Sequence, residues 1–91
     1  MPLLDETALD AALEHLAWRR SDDELVKVVT RGDFAEAMGY VNEVAGLAEA
    51  ANHHPDIQIR WNEVTLRLST HSAGGLTEKD LALAEQIDGL G

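Results

Sequence analysis

The apolar and polar positions of this chain switch between a helical and a strand period. Leu9, Leu13 and Leu16 fall at i, i+4 and i+7, one apolar stripe of a first helix, with Thr7 and Asp10 spaced as a capping box. Ala17 to Arg20 and Leu25 to Thr30 then read as two strands. Val26, Val28 and Val29 are β-branched, and Ser21-Asp22-Asp23 suits a polar turn. Beyond Gly32, Asp33 stands as an N-cap with Glu36 at the third helical position. Phe34, Met38, Val41, Ala45 and Ala48 follow as a stripe expected to face a sheet. Gly39 and Gly46 weaken this helix slightly and offer close approach to a strand or a second subunit. Pro55 ends it, because a proline disfavours helical geometry at the residue before it, His54.

Ile57, Ile59 and Trp61 alternate with Gln58 and Arg60, and Val64, Leu66 and Leu68 alternate with Thr65, Arg67 and Ser69. That is a second hairpin with its turn near Asn62. His71 shares the polar parity of Arg67 and Ser69, so it leaves the apolar face if the strand runs that far. Ala73-Gly74-Gly75 reads as a flexible loop. Thr77 and Asp80 form a second capping box, with Leu76 and Leu81 as its hydrophobic staple, and a last helix runs towards Leu90. The order α-β-β-α-β-β-α predicts an α+β fold: a two-layer domain with a four-stranded antiparallel sheet from two hairpins and helices packed on one face.

Composition narrows the chemistry. Ninety-one residues suit one domain, residues 1–91, with a modest core that oligomerisation would supplement. The absence of cysteine excludes disulfides, thiolate nucleophiles and thiolate metal ligands. No apolar run approaches a membrane span, and the N-terminus lacks the pattern of a signal peptide, so a cytoplasmic protein without membrane partners is expected. Seventeen acidic against seven basic residues give a net charge of -10. Phosphate backbones repel such a surface, which argues against nucleic acid as a partner. A local basic patch would have to draw on Arg19, Arg20, Arg60 and Arg67.

Three of the four histidines, His53, His54 and His71, lie between Glu49 and Asp80. The fourth, His15, reads as a surface residue. His53 and His54 follow the end of a long helix, where the macrodipole favours imidazolium, and Pro55 extends the backbone so that the two rings point in different directions. His71 returns towards them through the second hairpin. Three readings stay open on spacing alone: acid–base catalysis, a site of three imidazoles for a metal, and unconnected surface histidines. Adjacent histidines lack the i, i+4 spacing of a helical metal pair.

The full spacing is more specific. Glu49, three residues, His53-His54-Pro55, five residues, Trp61, nine residues, His71, eight residues and Asp80 resemble the signature of the pterin-4a-carbinolamine dehydratases. Asp33-Phe34, Ser69-Thr70-His71 and Gly75-Leu76-Thr77 agree with the same family, so the likeness runs from about Trp18 to Ile87. It implies the fold of the dimerisation-cofactor proteins and removal of water from a 4a-hydroxytetrahydropterin, without a metal or other cofactor. It implies His53 and His71 as general acids, His54 as a ring that binds and orients pterin, and a pocket lined by Asn52 to Pro55 and Ser69 to Ser72. Some members carry aspartate where this chain has Asn52, which removes any charge at that position.

Three further signature residues have structural readings beside the functional one. Glu49 either orients a histidine or is a solvated helix residue. Asp80 already has a complete task in the capping box, and Trp61 is expected to pack at the edge of the pocket rather than stack on pterin. The family further implies a homodimer through a sheet edge or a homotetramer through helices. It offers one reading of another class, a regulatory dimerisation partner that uses the helical self-association surface.

Overall fold

The computed structural model describes residues 2–91. In chain order its elements are α1 (Glu6–Leu13), β1 (Arg19–Ser21), β2 (Glu24–Thr30), α2 (Phe34–Ala51), β3 (Asp56–Arg60), β4 (Glu63–Leu68) and α3 (Glu78–Asp88). The four strands form one antiparallel sheet in the order β1-β2-β4-β3. Each hairpin supplies two strands, and β2 joins β4 with Leu25 opposite Leu68 and Val29 opposite Val64. Because side chains alternate along a strand, Leu25, Val29, Val64, Leu66 and Leu68 fall on one face. They are buried there with Leu9 of α1, Ala37, Tyr40, Val44 and Ala48 of α2, and Leu83, Ala84 and Ile87 of α3. The α+β two-layer architecture predicted from the hydrophobic pattern is the observed one.

The local boundaries differ in instructive ways. The N-cap of α1 is Asp5, whose carboxylate accepts from Ala8 N at 2.8 Å, and Thr7 lies inside the helix. A carboxylate there also complements the positive end of the helix dipole. Leu16 stands beyond the helix yet still packs on the core. The stripe assigned to α2 is only partly the buried one: Ala48 is buried and Val41 packs against the core. Ala37, Tyr40, Val44 and Ala48 face the sheet, whereas Phe34 is half exposed and Ala45 lies on the solvent side. This helix carries two apolar stripes of helical spacing, and periodicity alone cannot choose between them. Gly39 and Gly46 also face outward, with nothing among the described residues within 4 Å of where a side chain would begin, so no strand approaches them.

Arg20 stands apart from Arg19 and Arg67, which flank Val26 on the opposite face of the sheet. Arg20 turns to the helix side and bonds Glu6, while Arg67 lies 3.9 Å from Glu24.

Asp88, at the end of α3, ties that helix to the first hairpin. Its Oδ1 accepts from Trp18 Nε1 at 2.9 Å and from Lys27 Nζ at 2.6 Å, and its Oδ2 accepts from Ala17 N at 2.8 Å. Removing it leaves a nearly buried ammonium without its partner. Asp88→Ala is expected to lower unfolding free energy by about 2 kcal/mol, at the lower end of the cost of breaking a shielded ion pair. Urea denaturation of the two proteins measures this, and a difference within about 0.5 kcal/mol would contradict it.

Tyr40 carries a buried hydroxyl with no hydrogen-bond partner among the described residues, beneath the Arg31 guanidinium at 4.6 Å from the ring centroid. Burial raises its pKa above the ordinary 10.0, against the opposing pull of Arg31. The raised value favours the protonated form in the folded state. Its contribution is therefore complete below pH 10.0 and is lost as pH rises towards the folded value. Tyr40→Phe is expected to be neutral or slightly stabilising at pH 7, since no bond is lost. It should also flatten the fall of Tm above pH 10.0. Thermal melts across that range would show parallel declines if the idea is wrong.

Candidate active site

The site begins where α2 stops. Asn52 adopts the left-handed conformation, φ 50° and ψ 43°, and its N–H closes on the carbonyls of Ala48 and Glu49. Asparagine is among the few side chains that tolerate this geometry. His53 N then bonds Ala48 O at 3.1 Å, completing a helix-ending turn, and Pro55 continues the chain into β3. The two histidine rings leave this turn in different directions. His53 points inward, its side chain 11% exposed, with Nε2 at 2.6 Å from Asp80 Oδ1. His54 points outward and lies 2.5 Å from Glu49 Oε2, both side chains being well exposed.

The hairpin supplies the opposite wall. Asp56 at the start of β3 pairs with Arg67 near the end of β4, so the chain leaving β4 starts beside the chain entering β3. Ser69 is partly buried, Thr70 is buried, and His71 opens a short 3-10 turn, His71–Ala73, on the surface. The predicted flexible loop is in fact closed. Thr70 N donates to Gly75 O at 2.9 Å, Gly74 N donates to Thr70 O at 3.0 Å, and Gly74 takes the left-handed φ of 78° that glycine permits.

Asp80 joins the two walls. It is fully buried at the N-terminus of α3, where its Oδ2 accepts from Thr77 N at 2.9 Å in the capping box. The same oxygen accepts from Thr70 Oγ1 at 2.8 Å, and Thr70 Oγ1 lies 2.8 Å from Thr77 Oγ1. Asp80 therefore both caps the helix and holds His53. The capping role was legible in Thr77 and Asp80, but the bond to His53 needs the tertiary fold. Two donors already commit Oδ2 as an acceptor, so the third bond is best formed with Nε2 of His53 donating to Oδ1. That tautomer leaves Nδ1 as the basic ring nitrogen.

The structure thus unites His53 with Thr70, Thr77 and Asp80, and pairs His54 with Glu49. His71 is tied to them through the backbone, one residue from Thr70, and makes no side-chain hydrogen bond among the described residues. Ser72 is exposed on the same turn and Pro55 is half-buried. Trp61 departs from its expected place. It is 63% exposed in the turn at the far end of β3, φ 52°, away from the turn that carries His53 and His54. Four steps of about 3.3 Å between Asp56 and Arg60 put roughly 13 Å between the two ends of β3. Thr77 is the site residue that sequence reading assigned only to the helix cap.

Among the described residues, no three His, Asp or Glu side chains gather as a metal cluster. A cleft of about 190 Å³ opens elsewhere, between α1 and the first hairpin, lined by Leu3, Leu9, Arg20 and Leu76 among others. It holds no histidine. The His53–Asp80 pair is the stronger guide, because an imidazole held on a buried carboxylate is suited to give and take protons near neutral pH. No helix is long and apolar enough to cross a membrane among the described residues.

A two-layer α+β domain with a histidine held on a helix-capping carboxylate defines a class, and comparison with known families agrees. Residues 2–90 match the family described as pterin 4 alpha carbinolamine dehydratase, and the chain belongs to that family. A relative from Thermomicrobium roseum is 49% identical, covering 96% of this chain and 95% of its own; one from Nocardia farcinica is 52% identical, covering 97% and 94%. Both are provisionally named pterin-4-alpha-carbinolamine dehydratases. Among solved structures, a transcriptional coactivator/pterin dehydratase from Brucella melitensis superposes with a TM-score of 0.92 at 30% identity over 98% of each chain. A pterin dehydratase-like protein described as a RuBisCO assembly factor in the alpha-carboxysome gives 0.68 at 26% identity, over 84% of this chain and 90% of that one.

Proposed function

We propose that this chain, as a single domain, is a 4a-hydroxytetrahydrobiopterin dehydratase that works by histidine acid–base catalysis in tetrahydropterin recycling. The observation that carries the reading is the His53–Asp80 pair, with Nε2 bound at 2.6 Å to a fully buried carboxylate. In the proposed reaction the C4a–O bond breaks and the departing hydroxyl takes a proton to leave as water. A proton is lost from the ring nitrogen system as its electron pair forms the C=N bond of quinonoid dihydropterin. One water leaves with no change of oxidation state, so the residues need only move protons and hold the ring. His53 and His71 act as proton-transfer groups, and His54 binds and orients the pterin. The backbone from Asn52 to Pro55 and from Ser69 to Ser72 lines the pocket. The test is whether purified protein speeds loss of the 4a-hydroxyl from enzymatically generated carbinolamine; folded protein that leaves the spontaneous rate unchanged would sink the reading.

Glu49 has a lesser part. Its contact with His54 is exposed, and exposed ion pairs contribute about 0–1 kcal/mol. Glu49→Gln is expected to change kcat/KM by less than about fivefold, the equivalent of such a pair. Steady-state kinetics of that variant check this, and a loss of a hundredfold would give Glu49 a direct role.

A second reading is favoured by the outward face of α2. Phe34 and Ala45 are exposed and Met38 is half-buried, an apolar patch beside the bare Gly39 and Gly46, while Val41 next to them packs on the core. A face of that kind suits helix packing, either with copies of this chain as a homodimer or homotetramer or with a regulatory partner. The two solved relatives described as a coactivator and as an assembly factor support keeping this reading. Ala45→Glu is expected to reduce the solution mass measured by light scattering. An unchanged mass would place the association elsewhere, for instance at the β3 edge. A pull-down that yields only self-complexes would remove the regulatory partner.

A further inference from the structure

Thr70 is buried, 5% exposed, and lies in the chain immediately before His71. Its backbone holds the turn that carries His71, through the bonds to Gly74 and Gly75 described above. Its side chain reaches the opposite way, to Asp80 Oδ2 at 2.8 Å. Because the Thr70 hydroxyl proton is spent on that carboxylate, the 2.8 Å contact between the two threonine hydroxyls is made with Thr77 donating to Thr70. Thr77 Oγ1 in turn accepts from Lys79 N at 3.3 Å. The proton order runs in one direction, from Thr77 to Thr70 to Asp80, and leaves Oδ1 for His53.

We propose that Thr70 is a positioning residue: its hydroxyl fixes Asp80 so that His53 is held as the Nε2–H tautomer with Nδ1 free to exchange a proton. A carboxylate can rotate about its terminal bond and share its oxygens among donors. With both Thr70 Oγ1 and Thr77 N on Oδ2, rotation would break two bonds between buried groups. Without the hydroxyl only the Thr77 amide anchors Oδ2. The oxygens then become closer to equivalent, and the imidazole loses its fixed partner. One residue thereby sets both candidate proton-transfer groups, His71 through its backbone and His53 through its side chain. The catalytic consequence rests on the dehydratase reading; the tautomer does not.

Nitrogen-15 spectra of the imidazole rings in the full chain test the tautomer directly. His53 in the unmodified protein is expected to be protonated at Nε2 in its neutral form, and a proton on Nδ1 instead would overturn the proposal with no variant needed. In Thr70→Val, with folding checked by circular dichroism, the His53 signals should move towards averaged tautomers, and Thr70→Ser should restore them. In the dehydratase assay Thr70→Val should lower kcat by about tenfold with KM nearly unchanged, part of the hundredfold or more that a positioned proton-transfer group supplies. Folded Thr70→Val with His53 signals identical to the unmodified chain would overturn the proposal. A tautomer that responds to Thr70 in a protein without dehydratase activity would support the positioning role and remove the dehydratase reading.

Discussion

The double variant His53→Ala/His71→Ala is expected to lose about 10⁴-fold or more in kcat, since each positioned acid or base contributes roughly 10²–10⁴. Dehydration needs a proton delivered to oxygen and another removed from the ring, and among the described residues the other titratable side chains bonded into this part of the fold are Asp80 and the exposed His54–Glu49 pair. Asp80 is fully buried and committed to three donors, so it cannot readily stand in. The single variants separate two arrangements. If the rings act at different steps, the losses multiply; if they act as a unit, either single variant falls nearly as far as the double. Stopped-flow measurement on enzymatically generated carbinolamine, with circular dichroism to confirm folding, decides the matter. Activity within tenfold of the unmodified chain would remove both histidines from the chemistry.

Asp80→Ala is expected to cost about 3–5 kcal/mol of stability, the range for removing one partner from a buried charged network. The carboxylate satisfies the Thr70 hydroxyl, the Thr77 N–H and the His53 ring together, and Thr70 and Thr77 are buried away from solvent. The loss is large against the roughly 5–15 kcal/mol by which domains are stable at all. Asp80→Asn keeps one acceptor oxygen and should fall between the two, because its amide group faces a donor where the carboxylate offered a second acceptor. Urea unfolding gives the ranking. If Asp80→Ala unfolds within about 1 kcal/mol of the unmodified chain, the network is not what holds α3 to the hairpin.

These two predictions depend differently on what could be read before the fold was known. The histidines, the Asp33 and Thr77 caps, the stop at Pro55 and the alternation of Val64, Leu66 and Leu68 were all legible, because each rests on residues near one another in the chain. A capping carboxylate reaches three residues, and a strand period shows within six. The family signature was legible as well, since it is a matter of residue types at fixed spacing. The phase of α2 was legible only in part, because Phe34, Met38, Val41, Ala45 and Ala48 make one apolar stripe and Ala37, Tyr40, Val44 and Ala48 another. Which one meets the sheet is settled only by where the sheet lies.

Trp61 shows the same limit from another side. Its alternation with Ile57 and Ile59 suggested a packed residue, but the hairpin turns at that position and the ring goes to solvent. Asp80 is the most informative case. By itself the sequence determined that this aspartate caps a helix and that three histidines stand near it in the chain. Only the tertiary structure decided that the carboxylate's second oxygen meets His53, across 27 residues, while Thr70 shares the first. A cap is completed within one helical turn, whereas a carboxylate's remaining lone pairs are filled by whatever the packed core brings beside it.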